Sequence, residues 1–282
     1  MMDKPTSSSG YPIGLAVEAR RMCLYVATLL GDLKDDVVVV GGLVPYLIVD
    51  QTVAIERHVG TRDLDLGLAL SVLNEERYHE ISERLRRNGF KPDENTAGRT
   101  TRQTWRLGSQ RVTIDFLIGQ VDADQKPGTL QSLEADFAAI VTRALPAAFV
   151  DFIDVVIDDQ TPMGELACRT VQVCGPAAFV VLKAHAFHNR GEPKDAYDLV
   201  YVLKHFGDGD CREVAARFSA VATMPPAVEA VEFLTADFAS PEHHGASRAA
   251  AFHGGGGADA RAEAYGYVQE FLMLASAAGG KA

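Results

Sequence analysis

The 282-residue sequence lacks the features that define several common protein classes. It has no uninterrupted apolar run of about 18 residues or more, which predicts that no segment spans a membrane. Its first twelve residues, MMDKPTSSSGYP, contain no apolar stretch of the kind found in a secretory signal. GxSxG, P-loop and GxGxxG patterns are also missing, which leaves α/β-hydrolase, Walker NTPase and Rossmann interpretations without support. We therefore expect a cytoplasmic protein.

The sequence has few cysteines and fewer basic than acidic residues. The four cysteines, Cys23, Cys168, Cys174 and Cys211, have no CxxC spacing, which argues against a zinc site and favours free thiols in a reducing compartment. Lys plus Arg number 27 against 38 Asp plus Glu, a formal net charge of -11. A chain this acidic does not coat nucleic acid through a general positive field, although a local basic groove is compatible with it.

What is present is the composition of a folded protein, with 47% hydrophobic and 23% charged residues. The pattern predicts an α+β fold, with a mixed sheet flanked by helices and then a helical C-terminal part. We expect a flexible tail over 1–13, a core over 14–175 and a helical region over 176–282. The predicted helices cover 15–33, 43–49, 71–87 (with Ser71 as N-cap), 177–189 and 194–206. The predicted strands cover 37–40, 61–70, 101–107, 111–118, 152–157 and 170–174.

A glycine pair directly follows the first predicted strand. Four valines, Val37 to Val40, are typical of a strand buried on both faces, and Gly41-Gly42 follows them directly. Glycines allow a backbone to approach a phosphate closely, and the N-terminus of a following helix offers unpaired N–H groups. The alternative is an ordinary turn between a strand and a helix.

Acidic residues occur on two predicted strands. Asp63 and Asp65 alternate with Leu64 and therefore share one face of a strand, and Asp115 lies in another apolar strand. Acids in such strands are costly unless they are neutralised, and two magnesium ions would neutralise them. Asp115 would then bind one metal and accept the proton of an acceptor hydroxyl. The alternative is a pair of surface acids with Arg62 as their salt-bridge partner.

These motifs, in this order, resemble the hGG…DxD signature of the polymerase-β-type nucleotidyltransferase superfamily. The later segment KAHAFHNRGEPKDAYDL, from Lys183 to Leu199, is similar to the K…R…KDxxDL segment of AbiEii/AbiGii-type toxin nucleotidyltransferases of type IV toxin–antitoxin systems. The resemblance covers residues 35–205. One departure is the gap of twenty residues between Gly42 and Asp63, which is longer than in compact members of the superfamily.

The second motif carries several charged residues on two predicted helices. Lys183 and Arg190 are seven apart and share a face of a continuous helix. Lys183 or Lys194 could pair with triphosphate oxygens, while Asp195 and Asp198 could orient these bases. The alternative is a structural salt-bridge network that joins the two helices. The resemblance favours a functional role for Lys183.

The resemblance implies transfer of a nucleoside monophosphate from an NTP to an acceptor, with two Mg²⁺ ions as cofactors. It also implies a toxin-like role, with tRNA or another RNA as acceptor and a separately encoded antitoxin as partner. A small-molecule nucleotidyltransferase of the antibiotic-modifying type and a non-catalytic nucleotide-binding module are the alternatives. The expected catalytic residues are Asp63, Asp65, Asp115 and Lys183, the first three as metal ligands. The expected nucleotide-binding residues are Gly41, Gly42, Arg62, Arg190, Lys194, Asp195 and Asp198.

Basic residues are concentrated in one stretch. Eight of them lie between Arg84 and Arg111, with only Asp93 and Glu94 as acids. Such a segment suits NTP phosphates or an RNA end, and a solvated face is the alternative. Trp105, the only tryptophan, could stack on a base, but core packing is the better interpretation.

Overall fold

The computed structural model describes residues 5–279 apart from positions 53, 55, 70–74 and 123. Within these residues the strands form one mixed sheet. The strands are β1 (Val37–Val40), β2 (Asp63–Leu68), β3 (Phe90–Glu94), β4 (Thr100–Leu107), β5 (Thr113–Gly119), β6 (Leu130–Ser132), β7 (Ala138–Thr142), β8 (Phe152–Gln160) and β9 (Leu166–Cys174). Their order is β3-β4-β5-β2-β1-β9-β8, and β7 pairs with both β5 and β6.

The valine run forms the centre of this sheet. All four residues of β1 are buried, as expected for a strand that packs on both faces. It pairs antiparallel with β2 and parallel with β9, and β2 pairs parallel with β5. The two strands that carry the acidic residues are therefore neighbours, one position from the strand that ends at the glycine pair.

Helices flank the sheet, and every regular element described after residue 175 is a helix. Their bounds are α1 (Ile13–Leu30), α2 (Val44–Ile48), α3 (Glu75–Arg87), α4 (Leu145–Ala148), α5 (Pro176–Arg190), α6 (Pro193–His205), α7 (Cys211–Phe218), α8 (Pro225–Asp237), α9 (His244–Phe252) and α10 (Ala258–Gly279). Proline begins α5, α6 and α8, at a position where its missing N–H costs nothing. Gly191, in the left-handed conformation, ends α5. No described helix is long and apolar enough to cross a bilayer.

The predicted α+β class is confirmed, and the predicted elements are mostly present with shifted ends. Helix α1 ends at Leu30 rather than at residue 33, because Gly31 has φ 59° and a 3-10 segment follows it. The sequence pattern missed β3, β6 and β7, which are short or carry polar residues. The predicted N-cap at Ser71 lies outside the described residues.

One hydrophobic core runs from the sheet into the C-terminal helices, and it contains both Val38 and Phe271. Tyr11, within the predicted tail, is buried against Phe252, with ring centroids 5.8 Å apart. The division into a core over 14–175 and a helical region over 176–282 stays a prediction about domain organisation.

Trp105 belongs to this core, as the sequence predicted. It is fully buried, with edge-to-face contacts to Phe116 and Phe137 at centroid distances of 6.2 and 5.5 Å. Its burial excludes stacking on a nucleobase.

Truncation of Trp105 tests this packing. Trp105→Ala should lower the free energy of unfolding by about 3–5 kcal/mol, because it removes a large buried ring and leaves a cavity. Denaturant unfolding gives the value, and Phe152→Ala, which truncates an aromatic side chain 37% exposed, is the control. A loss no larger than that of the control would contradict the core position.

Candidate metal and nucleotide site

The pairing of β2 with β5 brings three carboxylates together. Asp65 lies directly opposite Asp115, and Asp63 lies opposite Thr113. Ligand oxygens of Asp63, Asp65 and Asp115 all lie within 4.8 Å of one another. The alternate residues, including Leu64 and Ile114, are fully buried on the other face. The core therefore fixes the strands that hold the acids.

The three carboxylates fit a magnesium ion by their chemistry. They supply hard oxygen ligands, and all three are only partly buried, which leaves space for water and phosphate oxygens. Like charges this close repel one another unless a cation or a proton intervenes. Thr61 contributes a hydroxyl that donates to Asp63 Oδ1 at 2.9 Å and helps to orient that side chain.

The glycine pair lies against these acids, and its geometry excludes larger residues. Gly41 has φ 71°, and a Cβ at this position would lie 1.8 Å from Asp65 Oδ2. A Cβ at Gly42 would lie 2.6 Å from Thr61 Oγ1 and 3.4 Å from Lys194 Nζ. The positive φ and the contact with Asp65 make glycine necessary at position 41, and a larger residue at position 42 would displace the Thr61 side chain. Helix α2 has only five residues. The room for phosphate therefore comes from the glycine backbone rather than from the helix N-terminus that the sequence predicted.

A network of ion pairs joins α5 to α6. Lys183 Nζ donates to Asp195 Oδ1 at 2.8 Å and to Asp198 Oδ2 at 2.7 Å. Arg190 Nε donates to Asp195 Oδ2 at 2.6 Å, and Lys194 Nζ donates to both oxygens of Asp198 at 2.7 and 2.9 Å. This is the helix-joining network that the sequence left as an alternative.

Burial and charge shift the pKa values in this network in opposite directions. Burial alone would lower the pKa of Lys183, but Asp195 and Asp198 outweigh it and raise that pKa above its usual range. Burial would raise the pKa of Asp198, but Lys183 and Lys194 hold it well below its ordinary value. Burial lowers the pKa of Lys194 despite the neighbouring Asp198. The carboxylates therefore stay ionised at neutral pH.

The network is the neighbour of the acidic site. Lys194, rather than Lys183, is the ammonium group beside Gly42. Burial would lower the pKa of Arg190, but Asp195 and, to a smaller extent, Asp65 raise it above its usual range. Lys183 is 7% exposed and is held by two carboxylates, Asp195 and Asp198. The predicted residues thus come together, with Arg62 exposed at the edge of the group.

His58 completes the network, and sequence reasoning missed it. Its Nε2 lies 2.9 Å from Asp198 Oδ1, and its ring stacks on Tyr197 and meets Tyr201 edge-on. Burial lowers the pKa of His58 to about 4, so the neutral ring donates through Nε2. His58 lies in the long segment between Gly42 and Asp63, where a lone histidine carries no periodic signal.

Most basic residues of the segment before β5 are paired with acids, so few of them carry an unbalanced charge. Five of its eight basic residues form ion pairs with acids that lie elsewhere in the fold or one helical turn away. The pairs are Arg84 with Asp32 and Glu80, Arg86 with Glu134 and Asp136, Arg87 with Glu83, Arg106 with Asp93, and Arg111 with Glu18.

Sequence comparison adds an independent observation. The family model described as "Nucleotidyl transferase AbiEii toxin, Type IV TA system" matches residues 30–263, which include the glycine pair, the three acids and the ion-pair network. The chain belongs to the AbiEii nucleotidyl transferase toxin family. No individual curated protein matches the chain significantly. The resemblance on residues 35–205 is thereby confirmed, and the AbiEii assignment extends to most of the helical part.

The long gap after Gly42 has a structural use in this AbiEii family member. It contains α2 and the segment that carries His58 to α6. Gln51 Oε1 accepts the backbone N–H of His58 at 3.2 Å and so holds that segment in place. The departure from compact relatives therefore adds a contact to the network and leaves the acids in position.

The pKa of His58 predicts a pH-dependent stability. Below its ordinary value of 6.5 the unfolded chain binds a proton that the native chain does not bind until about pH 4. Stability is therefore complete above pH 6.5 and falls as the pH falls towards 4. Between pH 7 and pH 5, His58→Gln should lose about 2 kcal/mol less than wild type in urea unfolding. His185 and His205, whose pKa values burial also lowers, are present in both proteins. Parallel losses would refute a neutral buried His58.

Gly41 allows a matched test of the close approach to Asp65. Gly41→Ala should weaken Mg²⁺ binding by about 10- to 100-fold, because the new methyl group displaces the Asp65 carboxylate. Calorimetric titration with Mg²⁺ measures it. The control is Gly98→Ala, since Gly98 has nearly the same φ, 69°, with nothing within 4 Å of its added Cβ. An equal effect of both variants would mean that backbone strain alone is responsible.

Proposed function

We propose that the protein transfers a nucleoside monophosphate from an NTP to a hydroxyl of an acceptor and releases pyrophosphate. The observation that carries this proposal is the convergence of three carboxylates beside a glycine turn whose first residue has a positive φ and no room for a Cβ. Membership of a nucleotidyl transferase family supports the reaction class. The fit of the acids to Mg²⁺ supports metal dependence.

Each acid has a separate task in this proposal. Asp63 and Asp65 would hold the metal ions, and Asp115 would contribute a third carboxylate and accept the proton of the attacking hydroxyl. Bound Mg²⁺ would stabilise the negative charge on the entering and leaving oxygens. The acceptor oxygen forms a bond to the α-phosphorus, the bond from that phosphorus to the bridging oxygen breaks, and pyrophosphate leaves.

The triphosphate would lie along the glycine turn. Gly41 and Gly42 allow the backbone to reach the phosphates, and Lys194 Nζ is the cation beside them. Asp198 holds Lys194, and Lys183 and His58 hold Asp198 in turn. Arg190, fixed by Asp195, adds a second positive group on the same side. Lys183 and the two helix acids are therefore positioning residues in this arrangement.

The family supports a toxin-like role. We extend it to three proposals for this chain: an RNA acceptor such as tRNA, a cognate antitoxin as partner, and action in the cytoplasm. A small-molecule acceptor remains an outcome of the experiment below.

Asp65→Ala tests the reaction. It should reduce nucleotide transfer by about 100-fold or more, because a preorganised charge at the reacting centre is lost. Each of the four α-labelled NTPs is incubated with Mg²⁺, the protein, total RNA and a panel of small molecules, and labelled products are separated. Asp154→Ala, which removes an exposed acid from β8 on the far side of the sheet order, is the matched control.

The outcomes separate the candidate functions. Label in a discrete RNA band that Asp65→Ala loses and Asp154→Ala retains supports the proposal. Label found only in small molecules would mean that the acceptor is a small molecule and not RNA. Transfer by Asp65→Ala at the wild-type rate would remove the acidic site from the mechanism. No transfer and no NTP binding by calorimetry would point to a non-catalytic protein.

A further inference from the structure

An open pocket of about 450 Å³ lies at the N-terminal end of α1. Its volume falls within the range of sites that hold a small ligand or one nucleotide unit. Three of its six lining residues are arginines. The lining residues are Gly10, Pro12, Leu15, Arg62, Arg106 and Arg111.

Strand register places this pocket next to the acidic site. Arg106 on β4 lies directly opposite Thr113 on β5, and Thr113 lies directly opposite Asp63 on β2. Residues that are directly opposite in paired strands point to the same face, so Arg106 shares a face with the three acids. Two strand spacings separate its backbone from that of Asp63, about 10 Å.

The arginines of the pocket differ in how they are held. Arg106 binds Asp93 through two parallel hydrogen bonds of 2.7 and 2.8 Å, which fixes its guanidinium. Arg111 pairs with Glu18 at an exposed position, where an ion pair exchanges readily with another anion. In the part of the chain that the structure describes, Arg62 forms no ion pair and no side-chain hydrogen bond. Its donors are available to a ligand.

The first turn of α1 adds to the positive character of the pocket. The helix has 18 residues, and its N-cap, Pro12, provides no side-chain cap. No acidic residue lies in the first turn. The helix dipole therefore favours an anion at this end, beside the arginines.

The order of the strands indicates whether the pocket would bind a phosphate of the acceptor or of the NTP. In the order β4-β5-β2-β1, the acids on β5 and β2 lie between Arg106 on β4 and the glycine turn that ends β1. Entering and leaving oxygens lie roughly in line in phosphoryl transfer. If pyrophosphate leaves along Gly42 and Lys194, the acceptor enters from the opposite side, where the arginine pocket is.

We infer that this arginine pocket binds a phosphate group of the acceptor, next to the hydroxyl that attacks. The inference rests on the proposed function and narrows its acceptor to a phosphate-bearing strand, for which single-stranded RNA is the case argued.

Reversal of the charge at Arg62 tests the pocket through binding measurements, which do not require catalytic turnover. Binding of a labelled single-stranded oligoribonucleotide is measured by fluorescence anisotropy over a range of salt concentrations, and NTP affinity is measured by calorimetry. Arg62→Glu should weaken RNA binding by about tenfold or more, and by a larger factor than any loss of NTP affinity, since Arg62 adjoins the proposed metal ligand Asp63. Arg62→Ala should reduce the slope of log K against log salt by about 0.7, the value of one phosphate contact on a single strand.

Arg99→Glu is the control, since it makes the same charge change at an exposed residue outside the pocket. Equal loss in both variants would reduce the effect to net charge and overturn the inference. Loss of NTP affinity with unchanged RNA binding would assign the pocket to the donor instead, which also overturns it. The inference is also overturned if the wild-type protein shows no salt-dependent RNA binding.

The pocket and the reaction fail separately. RNA binding that depends on Arg62, in a protein that transfers no nucleotide, would retain the pocket and refute the proposed function. Transfer to RNA that depends on Asp65, with RNA binding unaffected by either substitution of Arg62, would retain the function and refute the pocket.

Discussion

The repulsion among three carboxylates is the constraint on which the rest of the structure depends. Their ligand oxygens lie within 4.8 Å of one another, a spacing that three charges adopt only when the backbone holds them. The hydrophobic faces of β2 and β5 provide that restraint, because Leu64 and Ile114 cannot move outward without exposing core surface. The stability of the core thus holds the three carboxylates in a close arrangement that suits a bound cation.

A second group of charges partly offsets the first. Lys183, Arg190 and Lys194 oppose Asp195 and Asp198, so these five groups carry one net positive charge beside the acids. The neutral state of His58 matters here, because a protonated ring would add a further charge and would compete with Lys194 for Asp198. Each buried ion has a partner at hydrogen-bond distance, the condition under which a buried network keeps its geometry.

The sequence could predict the residues of the site better than their arrangement. Strand alternation predicted that Asp63 and Asp65 share a face, but only the parallel pairing of β2 with β5 brings Asp115 to them. Such pairing between distant segments leaves no local pattern. Helical spacing could not decide which lysine reaches the glycine turn, since the bend at Gly191 sets the direction of α6. His58 gave no signal at all, because its role arises from a contact 140 residues away in the chain.

The distribution of charge explains how a protein with a net charge of -11 could act on polyanions. Most arginines of the basic segment are bound to acids, so they add little to a long-range field, and the overall field repels nucleic acid. Cations near the acidic site, such as Lys194 and Arg62, act at short range only. An RNA strand would therefore gain affinity where its end fits against these groups and almost none elsewhere. Under this constraint, selectivity for an acceptor end follows from the lack of general attraction, because bulk RNA would have no competing site of similar strength.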